Sequence, residues 1–125
     1  MRDIKCEGVM QKKGGMRWQR RYFVLYQNGS KPAQLSYFKD KTYQSGDARA
    51  TLDLTSDTKI EILLGKPHAF QVILKGTVSL IKRRQVCVGR ALKVAAETHE
   101  DRDMWMRCLR ACISIDTSQT VVHVR

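Results

Sequence analysis

Residues 7–25 read EGVMQKKGGMRWQRRYFVL. This stretch holds two strand-like segments, joined by a short turn that contains Gly-Gly and has cations on both sides. Side chains alternate between the two faces of a strand, so Lys12 shares a face with Met10, and Arg21 shares a face with Phe23. Each cation lies nearer the turn than its apolar neighbour. The stretch therefore predicts a hairpin that buries its far end and presents positive charge at its open end, which suits a phosphate group.

Two separated motifs resemble the beginning and the end of a pleckstrin homology (PH) domain. The first is Gly8-x-Met10-x-Lys12, then a loop with glycine, then Trp18-x-x-Arg21-Tyr22-Phe23-Val24-Leu25. The second, similar to the last strand and closing helix of the family, is Leu92-Lys93-Val94-Ala95-Ala96-Glu97 followed by Glu100 and Trp105. The resemblance covers residues 5–114 and implies a mainly β fold with one α-helix, a seven-stranded antiparallel β-sandwich or barrel closed by a C-terminal helix. Residues 115–125 are expected to form a tail or to extend that helix.

Short segments with alternating apolar residues predict the same architecture. We expect strands near residues 5–12, 18–27, 35–38, 48–54, 60–62, 70–74 and 92–96. Many short strands with regular turn signals are typical of a sandwich or barrel. Thr98 is expected to cap the helix that follows, and apolar residues recur there at three-to-four spacing from Trp105 to Ile113. We therefore expect Trp105 to be a core residue that helps the helix close one end of the barrel.

Positive charge is concentrated in two segments of the chain. The 125 residues carry a formal net charge of +11. Residues 1–41 hold ten Lys or Arg against three Asp or Glu, and residues 75–94 hold six against none. Such clustering implies an anionic partner, either membrane lipid or nucleic acid. The alternative is a solvated basic surface without a ligand.

The composition argues against several other classes of protein. Cys6, Cys87, Cys108 and Cys112 follow neither a disulfide framework nor a zinc pattern, so we expect reduced core thiols in a cytosolic protein. No stretch approaches the roughly 20 apolar residues that span a bilayer. No secretory signal or myristoylation motif is recognisable. No nucleophile, phosphate-loop or metal-ligand motif occurs either, so we expect no catalytic residues, no metal site and no cofactor.

The PH resemblance also implies where a lipid headgroup would bind. In the family, phosphoinositides are held by a basic residue that ends the first strand and by two basic residues at alternate positions early in the second. Lys12 and Arg21 match the first and the last of these positions, whereas Gln19 replaces the middle cation. A neutral amide supplies no charge, so Gln19 weakens the case for a trisphosphate headgroup more than the case for an anionic lipid in general.

Further contacts to a headgroup are expected from the first loop and the third strand. These residues are Lys13, Arg17, Tyr37 and Lys39. Tyr37 has the alternative of packing in the core with its hydroxyl at the rim. Arg20 should point away from the face of Arg21, and is expected to be a surface charge or a membrane contact.

Two other segments carry features of a membrane-contact surface. Met16 at the loop tip and the nearby Trp18 are flanked by cations, which suits insertion among lipid headgroups. For Trp18 the alternative is packing on the outer face of the barrel. Residues 76–90 include Lys82, Arg83 and Arg84, which either contact anionic lipid or form the solvated turn of a longer hairpin.

These features favour a non-catalytic signalling module that binds anionic phospholipid, with phosphoinositide first and phosphatidic acid or another acidic lipid second. Such a module would recruit its host to a membrane face as a cytoplasmic, peripheral and monomeric protein. The alternative is a protein-interaction module with weak or no lipid binding, which predicts an exposed apolar groove or strand edge beside the helix. Nucleic acid is not expected as a partner, because base stacking needs aromatics interleaved with the basic runs and residues 76–90 contain none.

Overall fold

The structure is a computed structural model that describes residues 3–29, 31–42, 48–81 and 84–124. These residues form seven antiparallel strands and one C-terminal helix. Side chains are described for these residues except 75–81, 84–89 and 114–124. The elements are β1 (Asp3–Gly14), β2 (Arg17–Gln27), β3 (Gln34–Phe38), β4 (Ala50–Asp53), β5 (Lys59–Ile62), β6 (Ala69–Ile81), β7 (Arg84–Ala95) and α1 (His99–Val124). The predicted fold class is confirmed.

The strands form one sheet in the order β4-β3-β2-β1-β7-β6-β5. β1 pairs with β2 along almost its whole length, and it pairs with β7 at Gln11 and Lys12. Both halves of the sheet contribute to one hydrophobic core, with Phe23 on one side and Phe70 on the other. Burial decreases along β1 toward its turn, from Met10, which is 1% exposed, to the half-buried Lys12. The hairpin is thus buried at Met10 and along Tyr22–Tyr26 and opens at its turn, whereas the first residues of β1, Asp3, Ile4 and Lys5, are exposed, so the expected burial of the far end is confirmed for β2 only.

The turn between β1 and β2 is shorter than the sequence suggested. Gly14 pairs with Arg17, so Gly15 and Met16 alone connect the two strands. Gly15 has a φ of 61°, and a glycine with positive φ at the first position of a two-residue hairpin turn matches the right-handed twist of the strands. The prediction that Lys13 and Arg17 belong to a loop is therefore wrong, because pairing continues through both residues.

A second apolar cluster covers the other face of β2. It consists of Tyr22, Val24, Tyr26 and Phe38, with Val9 and Ala48 packed against it. The hydroxyl of Tyr26 lies 3.2 Å from the hydroxyl of Ser36, which is also buried. Because Tyr22 and Tyr26 are buried, their rings are not exposed for base stacking.

Helix α1 begins at the predicted cap and closes the core. The hydroxyl of Thr98 accepts a hydrogen bond of 3.1 Å from the amide of Asp101, which satisfies one of the free donors of the first turn. Trp105 and Leu109 are buried in the core, as the three-to-four spacing predicted. The helix continues beyond residue 114 to Val124.

Three of the cysteines lie where β1 meets α1. Cys6 is buried, whereas Cys108 and Cys112 are half-buried and pack against the core, so they are less enclosed than expected. Burial raises the pKa of the Cys6 thiol to about 12, and the neighbouring Cys108 adds to the shift. Burial also raises the pKa of Cys112. All three are free thiols. The side chain of Cys87 lies outside the described set.

Strands β6 and β7 form a hairpin that is longer than the sequence segments predicted for them. Their pairing runs from Ala69 and Ala95 to Ile81 and Arg84, with an irregularity between Leu74 and Thr77. The backbone therefore matches the longer-hairpin interpretation of this segment. Lys82 and Arg83 lie outside the described residues, as does the side chain of Arg84, and their contact with a membrane stays a prediction.

Candidate anion-binding site

Lys12 is held at the mouth of the hairpin by an aromatic ring. It lies on the same strand face as the buried Met10, and its Nζ is 5.2 Å from the ring centroid of Tyr37. An ammonium at this distance is attracted to the ring face. The Tyr37 ring packs in turn against Phe23, with ring centroids 5.5 Å apart. Tyr37 thus packs against the core, which was the alternative expected for it, and supports a cation at the rim, while its contact with a headgroup stays a prediction.

A cavity of about 140 Å³ opens beside Lys12 and Tyr37. Its walls come from five strands and consist of Lys12, Lys13, Tyr37, Leu52, Leu74, Arg90, Ala91, Leu92 and Lys93. Four of these residues are cationic and none is acidic. Lys12 and Arg90 lie on the core face of their strands, whereas Lys13 and Lys93 are one residue out of step with them and direct their side chains to the other face. The cavity therefore has a mostly polar surface with Lys12 and Arg90 beside the apolar Leu52 and Leu74, which is an arrangement suited to a compact, multiply charged anion.

Two of the four cations at the cavity were missed by the sequence analysis. Arg90 and Lys93 belong to β7, where Arg90 is exposed and Lys93 is half-buried. Arg90 pairs with Leu74 and lies on the same strand face as Leu92. Arg90 could have been found from the alternation that identified Leu92 as a strand residue, because the residue two positions earlier in a strand shares its face.

Arg21 lies beside the cavity, but its side chain is directed elsewhere. Its guanidinium donates hydrogen bonds to the carbonyl oxygen of Arg20 at 2.7 Å and to Oε1 of Gln19 at 3.1 Å. In the β1–β2 register, Lys12 faces Gln19 and Met10 faces Arg21, so Arg21 is a diagonal neighbour of Lys12. The neutral Gln19 therefore acts as an acceptor that holds Arg21 along the strand.

Arg17 and Lys39 do not join the lining of this cavity. Arg17 is exposed at the start of β2, and Lys39 is exposed just after β3. Lys39 neighbours Asp40, whose carboxylate accepts hydrogen bonds from the hydroxyl and the amide of Thr42. These bonds, with a smaller contribution from Lys39, lower the pKa of Asp40. The structure therefore places Lys12, Lys13 and Tyr37 at the cavity, whereas Arg17, Arg21 and Lys39 lie outside its lining.

The β1–β2 hairpin carries three of the predicted membrane-contact residues, Met16, Trp18 and Arg20. Met16 is 97% exposed at the turn. Trp18 is half-buried, and Nζ of Lys66 lies 5.1 Å from its ring centroid. Arg20 points away from the cavity, as predicted, and forms an ion pair of 3.3 Å with Glu97. Because both partners of this pair are largely exposed, it contributes little to stability.

The family model of the PH domain matches residues 4–114. The chain belongs to the PH domain family. PH domains are generally non-catalytic modules that interact with lipids or proteins. No curated protein sequence matches this chain.

Solved PH domain structures share the fold of the chain. The C-terminal PH domain of pleckstrin, in complex with D-myo-Ins(1,2,3,5,6)P5, superposes with a TM-score of 0.65 at 18% identity, over 89% of this chain and 96% of that chain. The PH domain of human KIAA0053 protein gives 0.61 at 19% identity, over 87% of each chain. The DH/PH domains of PDZ-RhoGEF, in complex with activated RhoA, give 0.64 at 14% identity, over 92% of this chain and 30% of that chain. At these identities the likeness shows the fold.

The described residues offer neither a membrane-spanning helix nor a metal-binding cluster. Among the residues that the structure describes, no helix has both the length and the apolar character that crossing a bilayer requires. Within the same residues, His, Cys, Asp and Glu side chains form no group of three or more that could hold a metal ion.

Proposed function

We propose that this PH domain is a non-catalytic module that binds the anionic headgroup of a phospholipid and thereby recruits its host protein to a cytosolic membrane face. The observation that carries the proposal is the cavity of about 140 Å³ with Lys12, Lys13, Arg90 and Lys93 around it. Phosphate oxygens accept charge-assisted hydrogen bonds from such cations, and these bonds are stronger than neutral ones. Lys12 is already held at the rim by Tyr37.

A phosphoinositide is the first candidate for the ligand. Two observations support it: cations from β1 and β7 surround one opening, and a PH domain of the same fold binds an inositol pentakisphosphate. Phosphatidic acid remains the second candidate, because Gln19 supplies no charge and is bonded to Arg21. The protein would act as a monomer, cytoplasmic and peripheral at the membrane surface.

The alternative of a protein-interaction module predicted an exposed apolar groove or an exposed strand edge beside the helix, and the strand edge can be examined at β5. β5 is the last strand of the sheet on that side. There, the carbonyl oxygen of Ile60 already accepts a hydrogen bond of 3.2 Å from the guanidinium of Arg110 on α1. A peptide that extended the sheet at this edge would have to displace Arg110, which makes the edge a weaker candidate than the cavity.

Co-sedimentation with vesicles tests the proposal. Neutral vesicles are doped with phosphatidylserine, phosphatidic acid or one phosphoinositide at matched surface charge. The wild-type protein should pellet with at least one of the acidic lipids, and the double variant Lys12→Ala with Arg90→Ala should stay in solution. The matched control is Lys31→Ala with Arg107→Ala, which removes two exposed cations outside the cavity.

The pattern of binding distinguishes the candidates. Preference for one phosphoinositide indicates a stereospecific pocket, and preference for phosphatidic acid indicates a phosphate monoester site. Equal loss in the cavity variant and in the control would show that bulk charge, not the cavity, attracts the protein. Absence of binding by the folded wild-type protein would contradict the lipid proposal and favour a protein partner.

A further inference from the structure

A second exposed apolar tip lies at the turn between β5 and β6. Leu64 is 89% exposed and Ile62, at the end of β5, is 53% exposed. Together with Ile4 and Met16 they are the large exposed hydrophobic side chains of the described residues. A leucine that exposes almost its whole side chain beside a second apolar residue is the kind of surface that marks an interaction site.

A direct contact joins this turn to the tip of the β1–β2 hairpin. Lys66, two residues after Leu64, places its Nζ 5.1 Å from the ring centroid of Trp18, two residues after Met16. A span of two residues covers at most about 7 Å of chain. Because this contact joins the ends of two long side chains, it places the two turns on the same side of the domain, with each apolar tip two residues from a contacting residue.

The surroundings of the two tips are positively charged. Lys13 pairs with Trp18, Arg17 follows Met16 directly, and Lys66 follows Leu64 closely. A protein surface with apolar tips among cations is complementary to an anionic bilayer, in which the acyl boundary accepts the apolar groups while lipid phosphates attract the cations. An anionic membrane is therefore the partner that this surface fits.

We propose that Leu64 and Met16 form a two-point wedge that inserts into the interfacial region of an anionic membrane. The inference rests on the lipid-binding function proposed above and extends it to a turn that lies outside the headgroup cavity. Insertion at two turns fixes the tilt of the domain, because one tip alone leaves it free to rotate about that tip. The Lys66–Trp18 contact joins the two turns that carry these tips.

The first test compares single substitutions in vesicle binding. Leu64→Ser should weaken binding to anionic vesicles by about tenfold, which is the lower end of the range expected for losing a buried leucine. The matched control is Ile4→Ser, because Ile4 is a similar side chain, 44% exposed, at the opposite end of β1 from Met16. Ile4→Ser should bind as the wild-type protein does. Unchanged binding by Leu64→Ser, with normal binding by the wild-type protein, would overturn the wedge while leaving the headgroup proposal intact.

The second test measures insertion directly and separates the two proposals. Leu64→Trp adds a fluorophore at the tip, and its emission should shift to the blue on vesicle binding and be quenched by lipids with brominated acyl chains. Emission that stays at the wavelength of exposed tryptophan in the vesicle-bound protein would overturn insertion at this turn. Soluble inositol phosphates provide the third arm, since they should bind Leu64→Ser as tightly as the wild-type protein. Weaker binding of these headgroups by Leu64→Ser would place Leu64 in the headgroup site and overturn the wedge.

Discussion

The ring of Trp105 on α1 meets the ring of Phe23 on β2 nearly edge to face, with centroids 6.5 Å apart and planes inclined by 75°. Phe23 also contacts Tyr37, the ring over which Lys12 lies. A continuous set of packed rings therefore connects the helix that closes the core to the cation at the rim of the cavity. These packed rings join Lys12 to the helix, although the two are far apart in sequence.

Replacing Trp105 should destabilise the whole domain. Trp105 is 2% exposed and packs against Phe23, so Trp105→Ala leaves a large cavity and should lower the free energy of unfolding by about 3–5 kcal/mol. Urea denaturation followed by circular dichroism measures the change. Arg107→Ala on the exposed side of the same helix is the control and should alter stability by no more than about 0.5 kcal/mol. Equal, small effects of both substitutions would contradict the assignment of Trp105 as the closing core residue.

Adding a cation at position 19 should strengthen headgroup binding. Gln19 pairs with Lys12 across β1 and β2, so Gln19→Lys places a third cation on the face of Lys12 and Arg21 and frees Arg21 from its acceptor. We expect about a tenfold gain in affinity for a soluble inositol phosphate, measured by calorimetry, which corresponds to roughly one charge-assisted hydrogen bond.

The matched control for this gain is Gln11→Lys. Gln11 lies on β1 next to Lys12 but directs its side chain to the opposite face, so the variant has the same net charge without a cation at the cavity. Gln11→Lys should change the affinity little. An equal gain in both variants would show that the headgroup responds to total charge and not to the face of the hairpin.

Salt should weaken the electrostatic attraction to the membrane more than the insertion of the apolar tips. The Debye length falls from about 10 Å at 0.1 M salt to about 3 Å at 1 M, so the attraction between Lys13, Arg17 or Lys66 and the membrane is screened while apolar insertion is not. Vesicle binding of the wild-type protein should therefore decrease with salt and level off above zero. The variant Met16→Ser with Leu64→Ser should lose that residual binding. A wild-type affinity that is independent of salt would contradict a site built on cations.

The buried thiol of Cys6 should make stability decrease in alkaline solution. Its pKa is raised from 9.0 to about 12 in the folded protein, so the unfolded chain releases the proton at lower pH than the folded protein does. The stabilising contribution is complete below pH 9 and is lost as the pH rises through about 12.

Comparison with Cys6→Ala isolates this effect, because lysines and tyrosines titrate in the same range in both proteins. The difference in free energy of unfolding between wild type and Cys6→Ala should be constant up to about pH 9 and change above it. A difference that stays constant between pH 9 and 11 would mean that the folded thiol ionises as freely as the unfolded one.

The sequence predicted the strands and the helix well because their signals are local. Alternation at Phe70 and Val72 and the cap at Thr98 depend only on neighbours in the chain, and the structure confirms them. Tyr22 and Tyr26 show the limit of this reasoning. They are buried on the face opposite Phe23, since a second cluster covers that side of β2, and alternation alone predicts burial on one face only.

The composition of the cavity could be predicted only in part. Lys12 and Tyr37 were expected there, but Arg90 reaches the same opening from β7, and the pairing of β7 with β1 is a tertiary contact between distant segments. Arg21, by contrast, was expected at the headgroup site, but its side chain is directed away from the cavity. Its position on the strand was predicted, whereas its direction is determined by hydrogen bonds to Gln19 and Arg20 that only side-chain geometry reveals.

The two-residue turn at Gly15 and Met16 has a consequence for the thermodynamics of recognition. Strand pairing holds the backbone up to Gly14 and from Arg17 onward, so this side of the cavity has little main-chain freedom to lose when a ligand arrives. The entropic cost of association then falls mainly on side chains, and Lys12 has already given up part of its freedom by resting on Tyr37. A rim of this kind binds as a preformed receptor whose association rate is governed by encounter, without waiting for a loop to fold around the headgroup.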